Sequence, residues 1–118
     1  MNKENPVQEK AYKFALSIVR LTRELMKQQN EFVLSAQLLK SGTSVGANIE
    51  EAQQAQSKPD FISKMSIALK EAYESRYWLK LMGDSGLTSN ELTSTLLEEI
   101  TQIISILAAI VKTSKISK

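Results

Sequence analysis

Four carboxylates are the first residues here whose type and spacing could do chemistry: Glu50, Glu51, Glu71 and Glu74. Helical bundles build di-metal centres from paired Glu-x-x-His motifs and further Glu residues. Glu71 and Glu74 have the required i, i+3 spacing. The chain contains no His to complete the motif and no Cys to replace it. Ion pairing is the better reading. In an antiparallel hairpin turning near residue 57, Lys64 is expected opposite Glu50 and Lys40 opposite Glu74. A metal site and any other cofactor are therefore not expected.

The second candidate is the run SGTSVGANIEEAQ, Ser41 to Gln53, with its two glycines and three hydroxyl residues. A phosphate-cradling loop needs G-x-x-x-x-G-K-[ST] between a strand and a helix. Here the glycines are four apart, no Lys follows, and the apolar series Leu38, Gly42, Val45, Ile49 runs through the segment at helical spacing. Gly42 and Gly46 therefore share one side of a helix. Each costs roughly 1 kcal/mol against Ala in a helix interior, which close approach to a neighbouring helix would offset. A hairpin turning near residue 30 places Ile18 opposite Gly42 and Phe14 opposite Gly46, so Gly46→Leu is expected to overpack the seam. The hydroxyls nearby have no His to act as general base, which argues against nucleophilic catalysis. No enzymatic activity is expected.

The third constellation is positive charge. Residues 7–29 carry Lys10, Lys13, Arg20, Arg23 and Lys27 against Glu9 and Glu24, a net +3. At about 100° per residue the five cations fall within an arc of about 140°. That arc lies opposite the Phe14, Ile18 and Leu25 stripe. Such a face is either simply solvated or a phosphate-contacting stripe. No aromatic interleaves these residues, so the expected mode is backbone-directed and salt-sensitive rather than base-stacking. The whole chain's net charge of +2 is too small to argue the point alone.

These groups are positioned by helices. Asn5 and Pro6 suit an N-cap and first helical residue, and Ala11, Phe14, Ile18, Leu21 and Leu25 make one stripe. The second stripe is Leu34, Leu38, Ser41/Gly42, Val45, Ile49 and Ala52. The third, opened by Ser57, Pro59 and Asp60, is Phe61, Met65, Ala68, Ala72 and Leu79. Thr88 and Glu91 read as a capping box before Leu92, Leu96, Ile100, Ile103, Leu107 and Ile110. The expected helices are about 6–28, 32–56, 58–83 and 89–112, with a frayed tail at 113–118. Four Gly and two Pro in 118 residues leave room for few turns, so long helices pack as antiparallel neighbours. The fold class is all-α, an antiparallel up-down-up-down four-helix bundle in one domain, 1–118. No apolar run approaches about 18 residues, so no membrane span is expected. The polar start MNKENPVQEK lacks a signal-peptide core, and the expected localisation is cytoplasmic. Apolar residues beyond the stripes, Ile67, Trp78 and Leu81 on helix 3 and Leu97, Ile104 and Val111 on helix 4, suggest subunit contacts.

The runs LLKSGTSVGANIEEAQ and SKPDFISKMSIALKEAYESRYWLKLM resemble the bacterial four-helix-bundle proteins first met as products of intervening sequences in 23S ribosomal RNA genes. The accessory variability proteins of diversity-generating retroelements are relatives. The resemblance covers nearly the whole chain and is densest over 38–53 and 60–81. It implies an up-and-down bundle assembled as a ring-shaped homopentamer without enzymatic activity. For the retroelement branch it implies binding to a reverse transcriptase and to RNA or DNA through basic surfaces. The ribosomal branch carries a name that rests on gene location. The competing expectation from the residues is an oligomeric protein-interaction scaffold whose basic face is merely solvated.

Overall fold

The structure, a computed structural model, describes residues 5–117. It contains four α-helices: α1 (Pro6–Gln29), α2 (Val33–Ala52), α3 (Lys58–Asp84) and α4 (Asn90–Ile116). Each packs on its neighbour in sequence, and α4 closes the square against α1 along the sparsest of the four seams. Among the described residues the diagonal pairs keep their Cα atoms more than 8 Å apart and share only the core. The result is an up-down-up-down bundle, a rod 49 Å long and 25 by 20 Å across. Among the described residues there is no strand.

The helix ends follow from short polar side chains. Asn5 Oδ1 accepts from the Gln8 amide at 3.2 Å, and Pro6 begins α1 without an orphan donor. Asn30 ends α1 in the left-handed region, φ 54°, its amide bonded to the Leu25 carbonyl. Ser57 caps α3 by accepting from the Asp60 amide at 3.1 Å, and Asp60 accepts in turn from the Gln56 amide at 3.3 Å. Three boundaries differ from the sequence reading. Helix α2 stops at Ala52, four residues before the expected end, because residues 53–56 form the turn that lets Ser57 take its extended capping conformation. The cap of α4 is Ser89, which accepts from the Leu92 amide at 3.2 Å, and not Thr88. The Thr88 hydroxyl instead meets the Thr93 hydroxyl at 2.6 Å. Helix α4 also continues past Lys112 to Ile116, so the tail is helical rather than frayed. Lys58 Nζ holds its end through Ser117 Oγ at 3.0 Å, and Lys115 sits favourably in the last turn. Residues 1–4 and Lys118, part of the expected domain and tail, lie outside the described residues.

The four stripes meet in one core. Phe14, Ile18, Leu38, Val45, Ile49, Ala68, Ala72, Met82, Ile100 and Leu107 are all fully buried. Among the described residues helix α4 alone is long and apolar enough to cross a bilayer, unlike the sequence reading. Its apolar side, Leu96, Ile100, Ile103, Ile104, Leu107 and Val111, is packed inside the bundle. Ser94, Thr95, Glu98, Thr101 and Gln102 occupy its exposed side.

The glycine seam is real on one side only. A methyl on Gly42 would lie 3.0 Å from Ile18 Cγ2 and 3.1 Å from Cγ1, so Gly42 is where α1 and α2 approach closely. Gly46 faces Ala11, not Phe14, with its nearest atoms at 3.6 and 3.7 Å. The reason is helical phase. Phe14 lies about 60° around α1 from Ala11, and its ring is spent in the core. Across the bundle, buried Ser41 and Ser75 join α2 to α3 through hydroxyls 3.0 Å apart, and Ser75 Oγ also lies 2.9 Å from the Glu71 carbonyl.

Candidate nucleic-acid interface

Lys10, Lys13, Arg20, Arg23 and Lys27 are all exposed on α1, on the side away from its buried stripe. They do not form one uniform band. At one end Lys10 donates to Gln102 Oε1 of α4 at 3.4 Å, and Lys13 pairs with Glu9 at 3.2 Å. Both lysines line a hollow of about 230 Å³ on the α1–α4 seam with Ser17, Glu99, Gln102 and Ile103. The Lys13 charge is answered by Glu9, and Glu99 adds a second carboxylate to the lining. At the other end Arg20, Arg23 and Lys27 form no ion pair among the described residues. They line an open hollow of about 740 Å³ with Glu24, Met26, Gln28 and Phe32. Glu24 is the single carboxylate there, so the lining residues carry an excess of positive charge.

Phe32 is the residue that sequence reasoning missed. It precedes α2, outside the α1 segment over which aromatics were sought, yet the tight turn at Asn30 folds it back beside Arg20, Arg23 and Lys27. The expectation of a basic face without an aromatic is corrected accordingly. Phe32 occupies the N-cap position of α2 and makes no capping bond. The Ser35 amide is satisfied by Glu31 Oε1 at 3.0 Å instead.

The carboxylates Glu50, Glu51, Glu71 and Glu74 are dispersed. Lys64 pairs with Glu51 at 3.2 Å, not with Glu50. Glu50 takes a hydrogen bond from Gln8 Nε2 of α1. Neighbouring residues on a helix point 100° apart, which sends Glu50 toward α1 and Glu51 toward α3. Glu74 accepts from Trp78 Nε1 at 3.2 Å rather than from Lys40. Among the described residues no three acidic side chains gather as a metal ligand set would.

The residues expected at a subunit contact are divided too. Ile67 and Leu81 are exposed on α3, at 37% and 38%. Trp78 is half-buried, packed on the core and edge-on to Tyr77 with ring centres 5.1 Å apart. Leu97 is half-buried against the core. Ile104 and Val111 are core residues, 6% and 7% exposed, and are not available to a partner. The wide apolar arc of α4 is consumed by the two helices flanking it. Exposed Tyr73 and Tyr77 join Ile67 and Leu81 on the outer face of α3, with Arg76 stacked 5.1 Å from the Tyr73 ring centre. Tyr73, Tyr77 and Leu81 recur every four residues on a face opposite Ala72 and Leu79, a spacing that could have revealed the two tyrosines.

The fold and the exposed basic helix define an all-α bundle with a cationic surface on α1. The chain belongs to the 23S rRNA-intervening sequence protein family, whose model matches residues 3–109. A solved structure of a protein of unknown function from the S23 ribosomal protein family of Bacteroides thetaiotaomicron is 47% identical to it. That similarity covers 90% of this chain and 98% of the other, with a TM-score of 0.88. No curated protein matches the chain.

Proposed function

We propose that this protein is a non-enzymatic, self-associating bundle that binds nucleic acid, or a ribonucleoprotein such as a reverse transcriptase with its RNA, through the basic face of α1. The observation that carries the reading is the exposure of all five cations on one helix, three of them unpaired among the described residues and beside a single carboxylate. Phosphates are the ligand such a face fits, because neutralising them releases counterions. Assembly as a ring of five, drawn from the family resemblance, would repeat a weak patch around one particle and raise its avidity. Ile67, Leu81, Tyr73 and Tyr77 on α3 supply the apolar surface for self-association. A cytoplasmic location is part of the same proposal.

The test is charge reversal. Arg20→Glu with Arg23→Glu should weaken binding to a generic RNA hairpin at low salt while the circular dichroism melt stays unchanged. Lys13→Glu should cost less, since Glu9 already answers that charge. Binding that survives the arginine pair would reject the site. The second reading, a protein-interaction scaffold, rests on the aromatic face of α3 and predicts no salt-dependent RNA binding at all.

A further inference from the structure

The hollow at the α1–α2 turn carries more than charge. Phe32 is 56% exposed there, among Arg20, Arg23 and Lys27. Its position is the N-cap of α2, where Ser, Thr, Asp or Asn would satisfy a backbone amide and a large apolar side chain contributes nothing. Phe32 neither caps the helix nor enters the core. A residue that breaks a local rule without a structural return marks a functional position.

The surrounding dimensions narrow the ligand. Arg20 to Lys27 covers seven helical steps, about 10 Å. That is close to the length of three nucleotides in a stacked strand, at about 3.4 Å each. The hollow, about 740 Å³, is open to solvent, and Met26 lines its wall. Base-paired nucleic acid presents no free base face to such a ring. An unpaired base does, and stacking on an exposed aromatic within a cationic groove is how single strands are held without sequence preference.

We infer that the turn between α1 and α2 is a single-strand subsite, in which an unpaired base stacks on Phe32 while Arg20, Arg23 and Lys27 hold the flanking phosphates. The inference rests on the proposed nucleic-acid role of α1 and adds a ligand class to it: unpaired loops, overhangs and ends rather than duplex. Arg20, Arg23 and Lys27 line the same hollow as Phe32, and Glu24 is the one carboxylate among them. Every copy in an assembly would carry one such subsite. A flexible strand could then bridge several of them, whereas a rigid duplex would meet only the phosphate-binding residues.

The experiment compares a fluorescein-labelled 12-nucleotide oligo-uridine with a blunt 12-base-pair RNA duplex, by anisotropy at low salt, using the full chain. The wild type should prefer the single strand. Phe32→Ala should lose about tenfold on the single strand and leave the duplex constant unchanged, while Phe32→Trp should restore single-strand binding. Phe32 is exposed, so the melts should coincide. Persistent, salt-sensitive binding with no loss, or with equal loss on both ligands, would overturn the stacking role and leave the basic face standing. Failure of the wild type to bind either ligand would overturn the basic face itself, and this subsite with it. A change of particle mass in Phe32→Ala would make the residue a contact between copies, and that also overturns the inference.

Discussion

Replacing Gly42 by Ala tests the α1–α2 seam most sharply. The added methyl would stand 3.0, 3.1 and 3.3 Å from Cγ2, Cγ1 and Cβ of Ile18. Carbon pairs are at ease at about 3.5–4.0 Å, so all three contacts are compressed. They involve the branch point of Ile18, not its flexible tip. Ile18 is fully buried, and a β-branched side chain in a helix has one strongly preferred χ1 rotamer. The neighbour therefore cannot yield cheaply. Overpacking of this kind costs ~1–3 kcal/mol, against a propensity gain of ~1 kcal/mol for losing a helix-interior glycine. The net expectation is a loss of ~1 kcal/mol, about 4 °C in Tm for a chain of this size. Gly46→Ala is the matched control. Its methyl would meet Ala11 atoms at ordinary distances of 3.6 and 3.7 Å, so the propensity gain should survive and Tm should rise. In an Ile18→Ala background Gly42→Ala should change sign and stabilise, because two of the three compressed atoms are gone. The assay is thermal unfolding followed at 222 nm, with protein concentration held fixed because self-association shifts Tm. Equal increases in Tm for Gly42→Ala and Gly46→Ala would refute the reasoning.

Three other positions give contrasting outcomes. Gly83→Ala should destabilise by ~2 kcal/mol or more, since its methyl would fall 2.6 Å from Thr93 Cγ2, and Thr93 is fixed by its bond to the Ser89 carbonyl at 2.8 Å; an unchanged melt would contradict this. Ser89→Ala should cost ~1 kcal/mol by removing the α4 cap. Alanine at Thr88 should leave the cap in place, with the Thr93 hydroxyl still bonded to the Ser89 carbonyl, so urea midpoints that rank the two the other way would restore Thr88 as the cap.

What the sequence reveals here is whatever depends on one helix at a time. Phe14 with Ile18, Val45 with Ile49, and Ile100 with Leu107 read correctly as core because a 3.6-residue period needs no knowledge of the partner. Asn5 and Ser57 read correctly as caps for the same reason. Errors arise where helical phase or a turn decides. Glu50 and Glu51 exchange roles because one residue is 100° of rotation. Ala11 rather than Phe14 backs Gly46, which depends on the rotation of α1 as a whole. Thr88 and Ser89 are both competent caps, and only the turn after Gly86, itself at φ 79°, selects the second. Ile104 and Val111 look surplus on α4 until both flanking helices are in place. Phe32 escaped notice because it belongs to a different helix from the cations it joins. The basic face of α1 was legible from the sequence, since its five members lie on one element, while its division into two ends rests on Lys13 pairing with Glu9 of α1 itself and on Lys10 donating to Gln102 of α4.

On the proposed function, copies of this chain assemble and hold nucleic acid through α1. Light scattering coupled to size-exclusion chromatography, with and without a generic RNA hairpin at low and at physiological salt, tests it most directly. The expected result is a particle several times the mass of one chain, with five copies as the expected number, that gains RNA at low salt and releases it as salt rises. A monomer whose elution ignores RNA at both salts would contradict it.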